Sequence, residues 1–151
     1  MQPGSKNYQE AVQKFYRLHE HIANQRRDYI HKESSRIANA WDAVCVRTGE
    51  LNHFATCGNA HDFGYGMFRE CLRYKLARQG KQLIIVDRYF PSTRTCSVCG
   101  RTSPEEISPR RRTWSCPHCG SVLKREHNAA MNIKAEGLAQ YFSMQEHRES
   151  A

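Results

Sequence analysis

The chain has 151 residues, 39% hydrophobic and 25% charged, with a formal net charge of +8 and a pI of about 9.3. That length favours one domain, with at most a small appended module, and the apolar content is enough for a core, which excludes disorder as the starting assumption. The positive excess suits an anionic partner, nucleic acid or an acidic membrane surface, with a merely solvated basic surface as the plain alternative.

No apolar run is long enough to span a bilayer, and the opening "MQPGSKNYQE" has no apolar signal core, so the chain is expected in the cytoplasm with no membrane role. Seven cysteines in a reducing compartment point to metal binding or free thiols and not to disulfides.

From Lys6 to Trp41 the pattern is helical. Tyr8, Ala11, Val12, Phe15, Leu18 and Ile22, then Tyr29, Ile30, Ile37 and Trp41, recur at helical spacing among polar residues, with no Pro or Gly. This predicts one long helix, or two with a bend near Asn24, with Ser5 as the cap. "WDAVCV" (41–46) reads as a buried strand, followed by a polar irregular stretch. Phe63 to Gln79 reads as a second helix stopped by Gly80, and "KQLIIVD" (81–87) as a second buried strand. Helix, strand, helix, strand predicts an α/β layer with parallel strands. Residues 88–122 change to Cys, Pro, Gly, Arg and Ser, as a small inserted module does. Glu126 to Phe142 reads as a closing helix, and the tail 143–151 as a polar segment that frays. The organisation expected is 1–87, 88–122, 123–142 and 143–151.

"CSVCG" and "CPHCG" set Cys96 with Cys99 and Cys116 with Cys119, with 16 residues between the pairs. Each CxxC knuckle turns two thiolates toward one ion, and two knuckles complete a tetrahedral Zn²⁺ shell with no open position, so the zinc is expected to be structural. His118 lies inside a knuckle and reads as a surface residue. The alternative is a pair of redox CxxC motifs. Cys45 and Cys71 read as small buried apolar residues; Cys57 has His61 nearby, which is weak grounds for a nucleophile.

The module is also basic. Arg94, Arg101, Arg110, Arg111, Arg112, Lys124 and Arg125 face only Glu105 and Glu106. The three consecutive arginines can hold phosphates, and Trp114 can either stack a base or pack on the knuckle.

Taken together, "KNYQEAVQKFYRLHEHIANQRRDYIHKESSRIA", "VDRYFPSTRTCSVCG", "WSCPHCG" and "REHNAAMNI" resemble the C-terminal part of the TnpB family, the RNA-guided nucleases of insertion sequences, related to type V CRISPR effectors. The resemblance runs from Lys6 to about Leu138. It implies a RuvC-like, RNase H-type fold with a zinc ribbon inserted before its last helix, and an active site of acids holding two divalent metals about 4 Å apart.

Each acid implied by the resemblance can be sought. The first belongs to a strand upstream of the matching region, and the first three strands are absent with it. The second, a Glu at the end of the strand matching "WDAVCV", falls on Arg47, with Glu50 the nearest acid. The third, in an acid–Arg–acid triplet before "NAA", falls on Lys124, with Glu126 completing the triplet. Asp87 belongs to the "VDRYFPS" stretch and is expected to be structural. Arg47 and Lys124 would repel Mg²⁺ and can pair with phosphate, so no catalytic Mg²⁺ is expected. The fold expected is a partial RuvC-like α/β layer lacking its first strands, with a long N-terminal helix and an inserted four-cysteine zinc ribbon. Its open edge calls for a homodimer or a companion chain.

Three readings remain. The first is a nuclease-inactive subunit that binds guide RNA or an RNA–DNA duplex through Arg94, Arg110, Arg111, Arg112, Trp114, Lys124 and Arg125. The second is half of a metal-dependent endonuclease completed by another chain. The third is a zinc-ribbon interaction or regulatory fragment. The first fits the charge and the substituted acids best.

Overall fold

The computed structural model describes residues 2–48 and 64–149. The described residues fall into two compact units, 2–42 with 64–81, and 43–48 with 82–149. Residues 43–47 and 82–86, expected as strands, cluster with the cysteine module and the closing helix.

In the first unit, α1 runs Lys6–Ala40 as one helix, with no break at Asn24. Its 35 residues give a length of about 50 Å at 1.5 Å per residue. Ser5 caps it, its side chain accepting the Tyr8 N–H. Ile30, Ser34 and Ala38, one helical turn apart, are buried; Phe15, Tyr16, Leu18 and Ile22 on the preceding turns are exposed. α1 packs against α2 (Tyr65–Arg78), whose buried residues are Cys71, Leu72 and Leu76. Gly64, at φ +66, precedes α2 where a Cβ would stand 2.5 Å from Ile30 Cδ1, so only glycine fits there. α2 ends in a Schellman motif: Lys81 N–H donates to Leu76 O at 2.9 Å and Gly80 N–H to Ala77 O at 3.1 Å.

Lys75 is the main polar tie between these helices. Its ammonium donates to His31 O at 2.6 Å and to the hydroxyls of Ser34 and Ser35 at 2.8 Å each. Its stem lies half-buried, as an amphipathic side chain's does at a helix interface.

In the second unit, β1 (Ala43–Arg47) pairs in parallel with β2 (Gln82–Val86), with Cys45 opposite Ile84 and Arg47 opposite Val86. The parallel arrangement expected from the element order is present. β3 (Thr113–Ser115) and β4 (Val122–Lys124) form an antiparallel ribbon with Trp114 opposite Leu123. β4 leads straight into α3 (Arg125–Glu149).

α3 extends past the expected end at Phe142, and the tail expected to fray is helical to Glu149. The segment "SMQEHRE" contains no Pro or Gly, and Met, Gln, Glu and Arg sustain a helix well. α3 packs on the sheet at Gly137, which is buried; a Cβ there would lie 2.6 Å from Cys45 Sγ and 2.8 Å from Cys45 Cβ. Burial under this helix raises the Cys45 thiol pKa, with Lys134 opposing. The architecture is mixed α/β with two small sheets.

Candidate nucleic-acid interface and metal centre

The two CxxC knuckles fold alike. Gly100 N–H donates to Cys96 O and Gly120 N–H to Cys116 O, both at 2.9 Å, and both glycines sit at φ +73. Cys96 N–H donates to Arg101 O and Cys116 N–H to Ser121 O, again at 2.9 Å. This repetition turns the four sulfurs inward. Cys96 Sγ lies 3.7 Å from Cys119 Sγ and Cys99 Sγ 3.8 Å from Cys116 Sγ, and all four sulfurs fall within 4.8 Å of one another. A tetrahedral ion with metal–sulfur bonds of about 2.3 Å has edges of about 3.8 Å, so the thiols stand at coordinating separations. Among the described residues this is the one such group of His, Cys, Asp or Glu ligands.

The thiols are electrostatically unequal. Hydrogen bonds from Ser121 lower Cys119 to about 6. At Cys99 the backbone hydrogen bond from Arg101 pulls downward, but burial and the neighbouring thiols outweigh it and push the group up to about 11. His118 is exposed, in keeping with a shell filled by sulfur.

The core of this module is Cys96, Ile107, Trp114 and Cys116, with Leu123 packed against it. Trp114 is 2% exposed, so its indole face is not available to a base. The stacking role expected for Trp114 gives way to the packing role. Small modules have little apolar area, and a buried indole supplies a large share of it.

Two asparagines join the module to α3. Asn128 Oδ1 accepts the Ser97 N–H at 2.8 Å, and Asn128 Nδ2 donates to Thr95 O at 2.7 Å. Asn132 Nδ2, one turn on, donates to Thr95 O at 2.6 Å and to Ser92 O at 2.8 Å. Both are buried. Sequence reasoning missed them; the signal is two Asn four residues apart in "NAAMN", which places them on the face of α3 that carries the apolar residues.

The cations divide between the loop tip and two clefts. Arg110, Arg111 and Arg112 are exposed on the loop tip before β3. Arg47, at the end of β1, donates from Nη1 to Phe90 O at 3.3 Å and to Ser92 Oγ at 3.4 Å. It lines a cleft of about 300 Å³ with Arg88, Arg94, Arg125, Tyr89 and Glu106. Arg125 is mostly buried there, its Nε donating to Ile107 O at 3.3 Å and its Nη1 pairing with Glu126. Lys124 lines a different cleft, with Arg112, Glu126 and His127. The two positions implied by the resemblance to have carried acids, Arg47 and Lys124, thus line separate clefts. Asp87 Oδ1 accepts the Tyr89 N–H at 2.6 Å, which shapes the turn after β2. Glu50, Cys57 and His61 lie outside the described residues.

Comparisons with known proteins match two stretches of the chain. Residues 65–133 match the family described as "Cas12f1-like, TNB domain", and residues 1–57 match OrfB_IS605, "Probable transposase". The chain belongs to the TnpB family. A protein of Streptomyces pristinaespiralis named "Putative RNA-guided DNA endonuclease" is 35% identical over 140 residues, covering 90% of this chain and 34% of that protein. The similarly named InsQ of Escherichia coli K12 is 27% identical over 154 residues, covering 89% of this chain and 38% of that protein. TnpB-like protein L79 of Acanthamoeba polyphaga mimivirus is 26% identical over 142 residues, covering 83% and 25%. The chain therefore spans roughly a third of the length of the curated relatives it matches. Among the described residues, no helix is long and apolar enough to cross a membrane.

Proposed function

We propose that this chain is a nuclease-inactive, TnpB-like nucleic-acid-binding subunit that contacts a guide RNA or an RNA–DNA duplex. The observation that carries the reading is Arg47. A metal-dependent nuclease needs carboxylates gathered round its ions. At the end of β1, where the resemblance implies an acid, stands a guanidinium in a cleft that, among the described residues, four arginines and one carboxylate, Glu106, line. Such a wall repels Mg²⁺ and attracts phosphate.

In this reading β1, β2 and α3 belong to a RuvC-like layer, and residues 88–122 are a zinc ribbon. Cys96, Cys99, Cys116 and Cys119 hold one Zn²⁺, which supplies the cross-link that a module of this size cannot obtain from its own core. Arg94, Arg110, Arg111, Arg112, Lys124 and Arg125 give the electrostatic footprint, so binding falls steeply with salt. Arg125 also braces the fold through Ile107 O. The companion is a second copy or another chain that adds a strand to the free edge of β1, whose one strand partner among the described residues is β2.

The test is purification under native conditions, with co-purifying RNA sequenced and co-purifying protein identified by mass spectrometry. A discrete small RNA is expected. A protein partner with no nucleic acid would overturn the reading in favour of an interaction fragment.

A further inference from the structure

The first two-thirds of α1 carry an apolar face of their own. α1 packs on α2, and the residues it buries, Ile30, Ser34 and Ala38, all belong to its last three turns. Before Ile30, α1 buries no residue. That stretch, Lys6 to Tyr29, runs about 35 Å at 1.5 Å per residue. A helix of this length is marginal in water when its apolar face has nothing to pack on.

The apolar residues of the stretch keep a seven-residue period. Tyr8, Phe15, Ile22 and Tyr29 stand seven apart, and Ala11 and Leu18 stand three beyond the first two, with Gln25 as the polar member of that second row. This is the seam of a coiled coil, sustained over three heptads. All six apolar residues are exposed, Phe15 and Leu18 each by 58%. At 100° per residue the seam lies more than a quarter turn away from the Ile30–Ser34–Ala38 face that meets α2.

The seam is complementary to itself when a second copy runs antiparallel about a two-fold axis. With Leu18 of one copy opposite Ile22 of the other, Phe15 meets Gln25, and Tyr29 meets Ala11, large against small. Tyr8, Ala11, Val12, Phe15 and Tyr16 line a hollow of about 460 Å³. The same register brings Tyr29 of the second copy to that hollow, as a knob to a hole. At the flanks, Lys14 of each copy falls beside Asp28 of the other, which gives two ion pairs by symmetry. Asp28 bonds Lys32 at 2.7 Å with both groups exposed, so its carboxylate can accept a second cation. Parallel pairing would set Asp28 beside Glu33, a like-charge contact. Covering five large apolar side chains on each of two copies removes on the order of 1,000 Å² from water, the size at which specific interfaces begin.

We propose that two copies of this chain associate through residues 8–29 of α1 as an antiparallel helix pair. The association needs no nucleic acid and uses a different element from the β1 edge.

The test is sedimentation equilibrium of the full chain across micromolar concentrations, with nucleic acid removed by nuclease treatment. The mass expected is twice the 17.5 kDa of one chain. Leu18→Lys is expected to weaken association more than about tenfold, since a buried leucine is lost from each copy. Gln13→Lys, which adds the same charge on the opposite face of α1, is expected to change it less than about twofold. Lys14→Glu is expected to weaken association several-fold, and adding Asp28→Lys to restore it. A monomer throughout the range overturns the proposal. So does a dimer that Leu18→Lys leaves intact, which would place the contact elsewhere and leave the β1-edge companion standing. A dimer that Leu18→Lys breaks, but that Lys14→Glu does not weaken, overturns the antiparallel arrangement.

Discussion

Asn128 and Ser97 meet across the boundary between α3 and the first knuckle, the side-chain oxygen accepting the backbone N–H at 2.8 Å. The same amide donates to Thr95 O, so one buried side chain satisfies two backbone groups of a loop that has no strand to pair them. Asn128→Ala should lower stability by about 1–3 kcal/mol, the range for stranding buried hydrogen-bonding groups. Asn128→Asp should be worse, because a carboxylate would face the Thr95 and Ser92 carbonyls. Urea midpoints at constant m-value measure both.

Gly137 is a second contact at close quarters. Alanine there raises intrinsic helix propensity by up to about 1 kcal/mol, yet its Cβ would meet Cys45 Sγ at 2.6 Å. Overpacking of this kind costs about 1–3 kcal/mol, so the net change should be destabilising. Cys45→Ala should relieve part of it, and the double-mutant cycle should show a coupling between the two sites.

The metal centre predicts one zinc per chain by elemental analysis. Cys119→Ser should lose the ion, because three thiolates leave the shell incomplete. Chelation should expose residues 88–124 to protease while α1 and α2, which pack on each other, keep their helical signal. Binding requires thiolates, so zinc release should begin as pH falls and proton competition grows. Loss of helical signal from α1 and α2 together with the ribbon would contradict this prediction.

Lys75→Met tests the helix pair. The substitution keeps much of the apolar stem and removes three donors from His31 O, Ser34 and Ser35. A loss of about 1–3 kcal/mol is expected, read from the urea midpoint. An unchanged midpoint would show the ammonium to be dispensable.

Local signals carried far in this chain. α1 was legible because a capping serine precedes 35 residues free of Pro and Gly, and the cysteine cluster because CxxC spacing is itself a geometry. Long-range polar contacts were not legible. Arg47 with Ser92 and Asn132 with Thr95 join residues dozens of positions apart, and no periodicity encodes them. Trp114 had two readings in sequence, and its burial against Cys96, Ile107 and Cys116 decided for packing. α3 runs past the expected end at Phe142 because helix propensity continues through its polar last turns to Glu149.

The separation of Arg47 from Lys124 bears on the two positions where the resemblance implies acids. Glu126, the acid nearest the head of α3, pairs with Arg125 and lines the Lys124 cleft, not the Arg47 cleft. Arg47→Glu should therefore not by itself create Mg²⁺-dependent cleavage. It should instead weaken nucleic-acid binding and reduce its dependence on salt. Titrations at several salt concentrations measure both effects.

The central claim is binding without cleavage. The most direct measurement incubates the chain with labelled RNA, DNA and RNA–DNA duplex in Mg²⁺ or Mn²⁺, then runs each reaction on a native and a denaturing gel. The account predicts a salt-sensitive shift on the native gel and intact strands on the denaturing gel. Metal-dependent cleavage that disappears in Glu126→Gln would contradict it and restore this chain as a nuclease.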